Sequence, residues 1–226
     1  MAYGKAKALI FDFNGTLLFD TEAHSDAWRA FLLRHGRAVS DGEMAAYVQG
    51  RPNADILGHF FGPLPAEEVR RMADEKEAVY RALCLRPESA GWYQLAPGVE
   101  ALFDRLKAEG FPFTIATSSG WDNVSFYFET LGLGRWFTPE TIIFDDGHTP
   151  GKPAPDIYLR AMKLLGVAPS DTAVFEDSVS GIRAGIAAGA GWVVGIDSSL
   201  PAGRLRQEGA CGVVHDFTGD WARMLE

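Results

Sequence analysis

The sequence predicts an α/β fold, a doubly wound parallel sheet interrupted near its start by an all-helical insertion. Three observations predict it. Ala8 to Phe11 (ALIF) is an unbroken apolar run, as expected of a strand buried on both faces of a parallel sheet. From Phe111 onward, short apolar runs alternate with helical patterns, which builds parallel strands joined by crossover helices. Between these regions, from Thr21 to about Gly91, there is no convincing strand and about four helices.

Taken in order, the first strand stops abruptly at Asp12-Phe13-Asn14-Gly15-Thr16. Thr21 to Arg34 carries Ala23, Ala27, Trp28, Ala30, Phe31 and Leu32 at helical spacing, and a second helix spans Asp41 to Val48. Gly50-Arg51-Pro52-Asn53 breaks the pattern before a short helix, Ala54 to Phe60, and a Gly-Pro turn. Ala66 to Leu83 is long and charged, with Glu67 and Glu68 where the helix dipole favours acids. Then follow a helix, Val99 to Glu109, ended by Gly110; a strand, Phe111 to Ala116; a helix, Asn123 to Leu131; and a strand, Thr141 to Phe144. Ile157 to Leu165 is helical, Ala173 to Phe175 a strand, Ser180 to Ala188 a small-residue helix, and Trp192 to Ile196 and Gly212 to Val214 the last strands.

The 226 residues, 47% hydrophobic and 23% charged, suit one large domain or a domain with an insertion. A chain this long buries a substantial core without staples. The net charge of -9 argues against a nucleic-acid partner gripped through its phosphates. Cys84 and Cys211, far apart in the chain, read as free thiols of a reducing compartment. No apolar run approaches membrane-spanning length, and MAYGKAKALIF passes straight into the first strand with no room for a signal peptide. The expectation is a cytoplasmic monomer or weak oligomer with no membrane or nucleic-acid partner.

The chemistry gathers at strand ends. Asp12 with the Gly15-Thr16 turn, Thr117-Ser118 and Glu176-Asp177 each close a strand, and Lys152 follows a fourth. In a parallel sheet these ends share one edge, where open α/β sheets bind their ligands. Two or three carboxylates there form a hard-oxygen site suited to Mg²⁺, which prefers carboxylates, a carbonyl, waters and substrate phosphate. A hydroxyl and exposed amides at a strand-to-helix turn suit a phosphoryl oxygen, and a lysine adds a compact positive charge. Singly, each has a plainer reading: a surface lysine, a helix cap, a solvated turn.

With these motifs in this order, the sequence resembles the haloacid dehalogenase superfamily, and within it the β-phosphoglucomutase-like phosphatases with a helical cap inserted after the first motif. The motifs are FDFNGTL at Phe11 to Leu17, ATSS at Ala116 to Ser119, GKPAPDIY at Gly151 to Tyr158 and FEDSVSGIRAG at Phe175 to Gly185, with GRPNADIL at Gly50 to Leu57 in the insertion. The resemblance covers essentially the whole chain. It implies a Rossmann-like core, residues 1–17 and 92–226, and a helical cap, residues 18–91. It also implies a Mg²⁺-dependent phosphatase acting on a small phosphorylated metabolite. Asp12 would be the nucleophile, forming a phosphoaspartate, and a metal ligand as well. The backbone carbonyl of Asn14 and the Asp177 carboxylate would be further ligands, with Glu176 in support. Thr117, the Ser118 amide and Lys152 would hold the phosphoryl oxygens, with Thr16 and Ser119 beside them. Gly50, Arg51 and Asn53 would lie on the cap loop that reads the leaving group. Lys76 and Tyr80 share a helical face at spacing four, directed either into the site or along the cap surface.

One position departs from the family. Its phosphatases normally carry a second aspartate where this chain has Asn14, and that aspartate protonates the leaving oxygen and then takes a proton from water. An amide cannot exchange that proton, and losing a general acid-base group costs about 10²- to 10⁴-fold. Three readings stay open: a slow or specialised phosphatase whose leaving group needs no acid, such as an acyl phosphate; a phosphate-binding or regulatory pseudoenzyme; or switched chemistry. A β-phosphoglucomutase-like phosphotransferase ranks lower, since a mutase needs the missing aspartate even more. Asn14-Gly15 is also a dipeptide open to deamidation, which would restore an aspartate. His148 reads as an exposed loop residue. Trp121, Phe126, Tyr127 and Phe128 read as structural, with Phe128 and Leu131 on a buried helix face.

Overall fold

The computed structural model describes residues 3–48 and 51–225. In chain order, β1 (Ala8–Phe11) is followed by α1 (Thr21–Arg34), α2 (Asp41–Tyr47), α3 (Asn53–Phe61) and α4 (Ala66–Cys84). Then come α5 (Val99–Glu109), β2 (Phe113–Gly120), α6 (Trp121–Leu131), β3 (Ile143–Asp145), α7 (Asp156–Leu165) and β4 (Thr172–Glu176). The chain closes with α8 (Val179–Ala187), β5 (Trp192–Ile196), α9 (Ala202–Gln207) and β6 (Gly212–Val214). Two compact units result: Met1–Phe19 with Gln94–Glu226, and Asp20–Tyr93.

The first unit is built on a six-stranded sheet in the order β3-β2-β1-β4-β5-β6, with every neighbouring pair parallel. It is a Rossmann-like α/β fold. The order reverses between β1 and β4, and that switch point is where open sheets leave a crevice at the strands' carboxyl ends. All four residues of β1 are buried. Successive side chains of a strand face opposite ways, and both faces are covered. Phe11 stacks on Phe175 at 5.0 Å between ring centroids and meets Phe103 of α5 at 5.3 Å. Ile10 joins Val174, Tyr158, Ala161 and Met162 on the face covered by α7. Burying a side chain of this size stabilises by roughly 1.5–3 kcal/mol, so the apolar run is retained by packing on two sides.

Several boundaries differ from the expected ones. The second strand runs on to Gly120, so Thr117-Ser118-Ser119 is the carboxyl end of β2 itself; pairing of Gly120 with Asp145 of β3 extends it. α6 consequently begins at Trp121 and buries Asn123, Val124, Phe126 and Tyr127, while Phe128 and Leu131 are only half-buried. α9 has no counterpart in the periodicity: its six residues offer one apolar anchor, Leu205, fully buried beneath β5 and β6.

The second unit has no strand among its described residues. Trp28, Phe31 and Leu32 of α1 pack with Met44 and Val48, with Ile56 and Leu57 of α3, and with Met72 of α4. The expected spacing on α1 is thus used, except that Ala30 is half-buried. α2 begins in a capping box in which the Ser40 hydroxyl accepts from the Glu43 N–H and the Glu43 carboxylate accepts from the Ser40 N–H. Cys84 is a buried free thiol and Cys211 an exposed one. Among the described residues, no helix is long and apolar enough to cross a membrane.

Candidate active site

Asp12 continues β1 by one residue, its N–H donating to the Phe175 carbonyl at 3.0 Å. That ladder bond fixes it beside Glu176, the last residue of β4, and Asp177 follows at once. The three carboxylates are buried, and one oxygen of each lies within 4.8 Å of the others. Lys152 is the cation among them, bonded at 2.5 Å to Asp12 Oδ1 and at 2.5 Å to Glu176 Oε1. Glu176 also accepts from the Tyr158 hydroxyl at 2.8 Å and from the Ser178 N–H and hydroxyl at 3.0 and 2.9 Å.

One ammonium among three buried carboxylates leaves negative charge uncompensated. Burial pushes the Asp12 carboxyl up to about 7, Glu176 adding to the rise and Lys152 opposing it. Asp177 is driven well above the usual carboxylate range by burial, then by Glu176 and Asp12. Burial also works against the charge on Glu176, but Lys152 and the donors around it hold that group low. A cluster of oxygen ligands short of positive charge fits a hard divalent cation such as Mg²⁺.

Two glycines make the cluster possible. Gly15 turns the chain after Asp12 with φ +78°, and a Cβ there would come 2.1 Å from Asp177 Oδ2. A Cβ on Gly181 would lie 1.7 Å from Glu176 Oε1. A methyl group at either place would displace a carboxylate. The loop after β5 braces the same turn: the Ser198 hydroxyl donates to the Gly15 carbonyl, and Ser199 hydrogen-bonds Asp177.

Asn14 sits between two hydroxyls. Its amide Nδ2 donates to Tyr127 Oη at 2.9 Å, and its Oδ1 accepts from Ser119 Oγ at 2.8 Å. Tyr127 is buried and stacks on Phe13 at 4.4 Å. Thr117 is buried, its hydroxyl accepting from the Ser119 N–H at 3.1 Å, whereas Ser118 is exposed. The Thr16 hydroxyl is fully buried with no hydrogen-bond partner among the described residues. A donor left so is an expense that a bound ligand would relieve.

Of the residues expected in the insertion, Gly50 lies outside the described residues. Arg51 is exposed and donates through Nε to the Ala46 carbonyl at 3.1 Å; Asn53 Nδ2 reaches Glu77 at 3.3 Å. Of the two directions open to Lys76, the cap surface is excluded: it is 2% exposed inside the helical unit. Its ammonium lies 2.8 Å from His24 Nδ1 and 2.9 Å from Glu77, over the Trp28 and Tyr80 rings at 5.4 and 5.8 Å. An ammonium only donates, so His24 Nδ1 accepts and Nε2 carries the proton, 3.4 Å from Asp20. Asp20 accepts a 2.5 Å bond from the Tyr80 hydroxyl. His148 is exposed, as expected.

Sequence reasoning missed Tyr127, Ser198 and Ser199 as neighbours of the cluster, and Asp20 and His24 in the helical unit. Asp197-Ser198-Ser199 follows a strand that was identified, so the strand-end rule would have found it. Tyr127 had no such signal, being 113 residues from Asn14.

Comparison with known proteins places the chain in a family. A family model described as haloacid dehalogenase-like hydrolase matches residues 6–189. Over 94% of this chain and 90% of its own length, the "Beta-phosphoglucomutase" of Mycobacterium bovis is 31% identical. The "Hexitol phosphatase A" of Escherichia coli is 30% identical over 90% of this chain and 88% of its own. A crystal structure from Entamoeba histolytica, described as a HAD hydrolase of family IA, variant 3, superimposes with a TM-score of 0.88 at 38% identity, covering 97% of this chain and 99% of that one. Most of the chain, including every strand end that contributes to the acidic cluster, is therefore accounted for by one lineage: the protein belongs to the haloacid dehalogenase-like hydrolase family.

Proposed function

We propose that the protein is a Mg²⁺-dependent phosphatase of a small phosphorylated metabolite, acting through a phosphoaspartate at Asp12. The observation that carries this reading is the buried trio Asp12, Glu176 and Asp177, with Lys152 the one cation bonded to them among the described residues. Asp12, Asp177 and the backbone carbonyl of Asn14 would hold the ion, with Glu176 in support. When bound, Mg²⁺ neutralises phosphate charge and lets an anionic nucleophile approach it. Lys152 orients Asp12 and neutralises the same phosphoryl group, while Thr16, Thr117 and Ser118 supply donors for its oxygens and Ser119 holds the adjacent Asn14. Asp12 takes the phosphoryl group and water later releases it, which splits one hard displacement into two. The helical insertion, residues 18–91, would serve as the cap that selects the substrate, with Arg51 and Asn53 its candidates for reading the leaving group. The names of the two relatives favour a compact phosphorylated sugar or polyol over a macromolecule, and the mutase among them makes phosphotransfer to a second substrate hydroxyl the alternative.

The test is phosphate release from p-nitrophenyl phosphate and acetyl phosphate with Mg²⁺, with EDTA, and with Asp12→Ala. Turnover that EDTA and Asp12→Ala both abolish is the expected result. Turnover that survives Asp12→Ala overturns the reading.

A further inference from the structure

We infer that the site is specialised for phosphoryl compounds whose leaving group departs as an anion without a proton: acyl phosphates first, acidic aryl phosphates next, and alkyl phosphomonoesters last. This specialisation presupposes phosphoryl transfer to Asp12, as proposed above, and concerns the bond that breaks.

Asn14 is two residues beyond the nucleophile, on the same turn. Its carboxamide is held at both ends, Nδ2 on Tyr127 Oη at 2.9 Å and Oδ1 on Ser119 Oγ at 2.8 Å. Tyr127 is itself clamped, buried and stacked on Phe13. The amide therefore occupies its position and does not swing aside to admit a water. A carboxamide gives hydrogen bonds but neither releases nor takes up a proton in the range where enzymes work. Two proton-bearing groups near Asp12 are committed on the nucleophile's side. The Lys152 ammonium spans Asp12 and Glu176 at 2.5 Å each, and the Tyr158 O–H points at Glu176.

The bond changes balance without an acid only for certain leaving groups. In the first step an Asp12 oxygen bonds to phosphorus, and the phosphorus–oxygen bond to the leaving group breaks with its electron pair on that oxygen. An acyl phosphate releases a carboxylate, which is stable unprotonated. An alkyl phosphate must release an alkoxide, which is not. In the second step water attacks phosphorus, Asp12 regains its electron pair as a free carboxylate, and the water proton stays on the product, which leaves as dihydrogen phosphate. No outside proton carrier is required.

Both flanking hydroxyls can turn to donate, so Asn14→Asp keeps the same two contacts and tests the idea in a folded protein. The probes are acetyl, p-nitrophenyl and phenyl phosphate and glycerol 3-phosphate, each with Mg²⁺, for the native protein, Asn14→Asp and Asp12→Ala. Intact-mass measurement verifies residue 14 and detects phosphoprotein. In the native protein kcat/KM is expected to fall steeply along that series. Asn14→Asp is expected to exceed it by less than about tenfold on acetyl phosphate, and by about 10²- to 10⁴-fold on glycerol 3-phosphate. Parallel profiles for the two proteins overturn the specialisation while leaving Asp12 phosphatase chemistry intact. Activity retained in Asp12→Ala, or absence of both turnover and phosphoprotein in native and Asn14→Asp protein on every probe, overturns the underlying phosphatase reading and the specialisation with it.

Discussion

Both units bury charged groups, and they do so in opposite ways. In the helical unit Lys76 has Glu77 and the lone pair of His24, and Asp20 has the Tyr80 hydroxyl and the His24 Nε2 side of the ring. Donors meet acceptors there, and Trp28 and Tyr80 cover the ammonium with aromatic faces. At the sheet edge three carboxylates share one ammonium, and burial, then the charge of Glu176, drives Asp12 and Asp177 up in pKa. A fully matched buried network orders a structure; an unmatched one persists because something else supplies the missing charge. Burial of ionisable groups alone does not mark a site. The imbalance does.

The comparison breaks most visibly in activity. Asp12→Ala should lower kcat by about 10⁴-fold or more, as removal of a covalent nucleophile does, measured as phosphate release. Next in size is stability. Lys152→Met should cost about 3–5 kcal/mol in metal-free protein because it leaves Asp12 and Glu176 unpaired, and Mg²⁺ should restore part of it. Lys76→Met should cost about 1–3 kcal/mol through the lost bonds to His24 and Glu77, with no Mg²⁺ response. Urea unfolding with and without Mg²⁺ reads both, and an equal Mg²⁺ response in the two variants would erase the distinction drawn here. Smaller still is the brace on Asp177: Ser199→Ala should weaken Mg²⁺ binding by about 10-fold, the low end for a group that orients a ligand, measured by titration calorimetry. The smallest expected effect is on Asn14. Its side chain is held by two hydroxyls, and the Gly15 nitrogen that would attack it donates to the Leu18 carbonyl at 2.7 Å. The folded protein should keep its amide on ageing while the urea-unfolded chain loses it, followed by peptide mass analysis.

Much of the sheet was legible because its signals are local. The ALIF run, the Gly110 terminus of α5 and the carboxylates closing β1 and β4 are each readable within a few residues. Parallel pairing then brings the strand ends together without further information. Position 14 could be read as an amide, but not as a clamped one, because Tyr127 and Ser119 lie 113 and 105 residues away. The direction of Lys76 was not legible because α4 is charged over much of its length, and nothing in AEEVRRMADEKEAVYRALC tells which charged side chain turns inward. Only the partner helix α1, which supplies His24 and Trp28, decides it.

The central position of β1 has a consequence for how the protein is made. The strand is synthesised well before either of its neighbours: Phe113 lies opposite Leu9 on one side, Ala173 on the other. At about 5–20 residues per second of translation, ALIF waits on the order of 10–30 s before its second neighbour exists. Meanwhile the helical unit, whose contacts close within Asp20–Tyr93, can assemble as it emerges. The nascent chain therefore carries an apolar, unpaired strand, and shielding that segment is a task for the ribosome surface or a chaperone until the centre of the sheet can close.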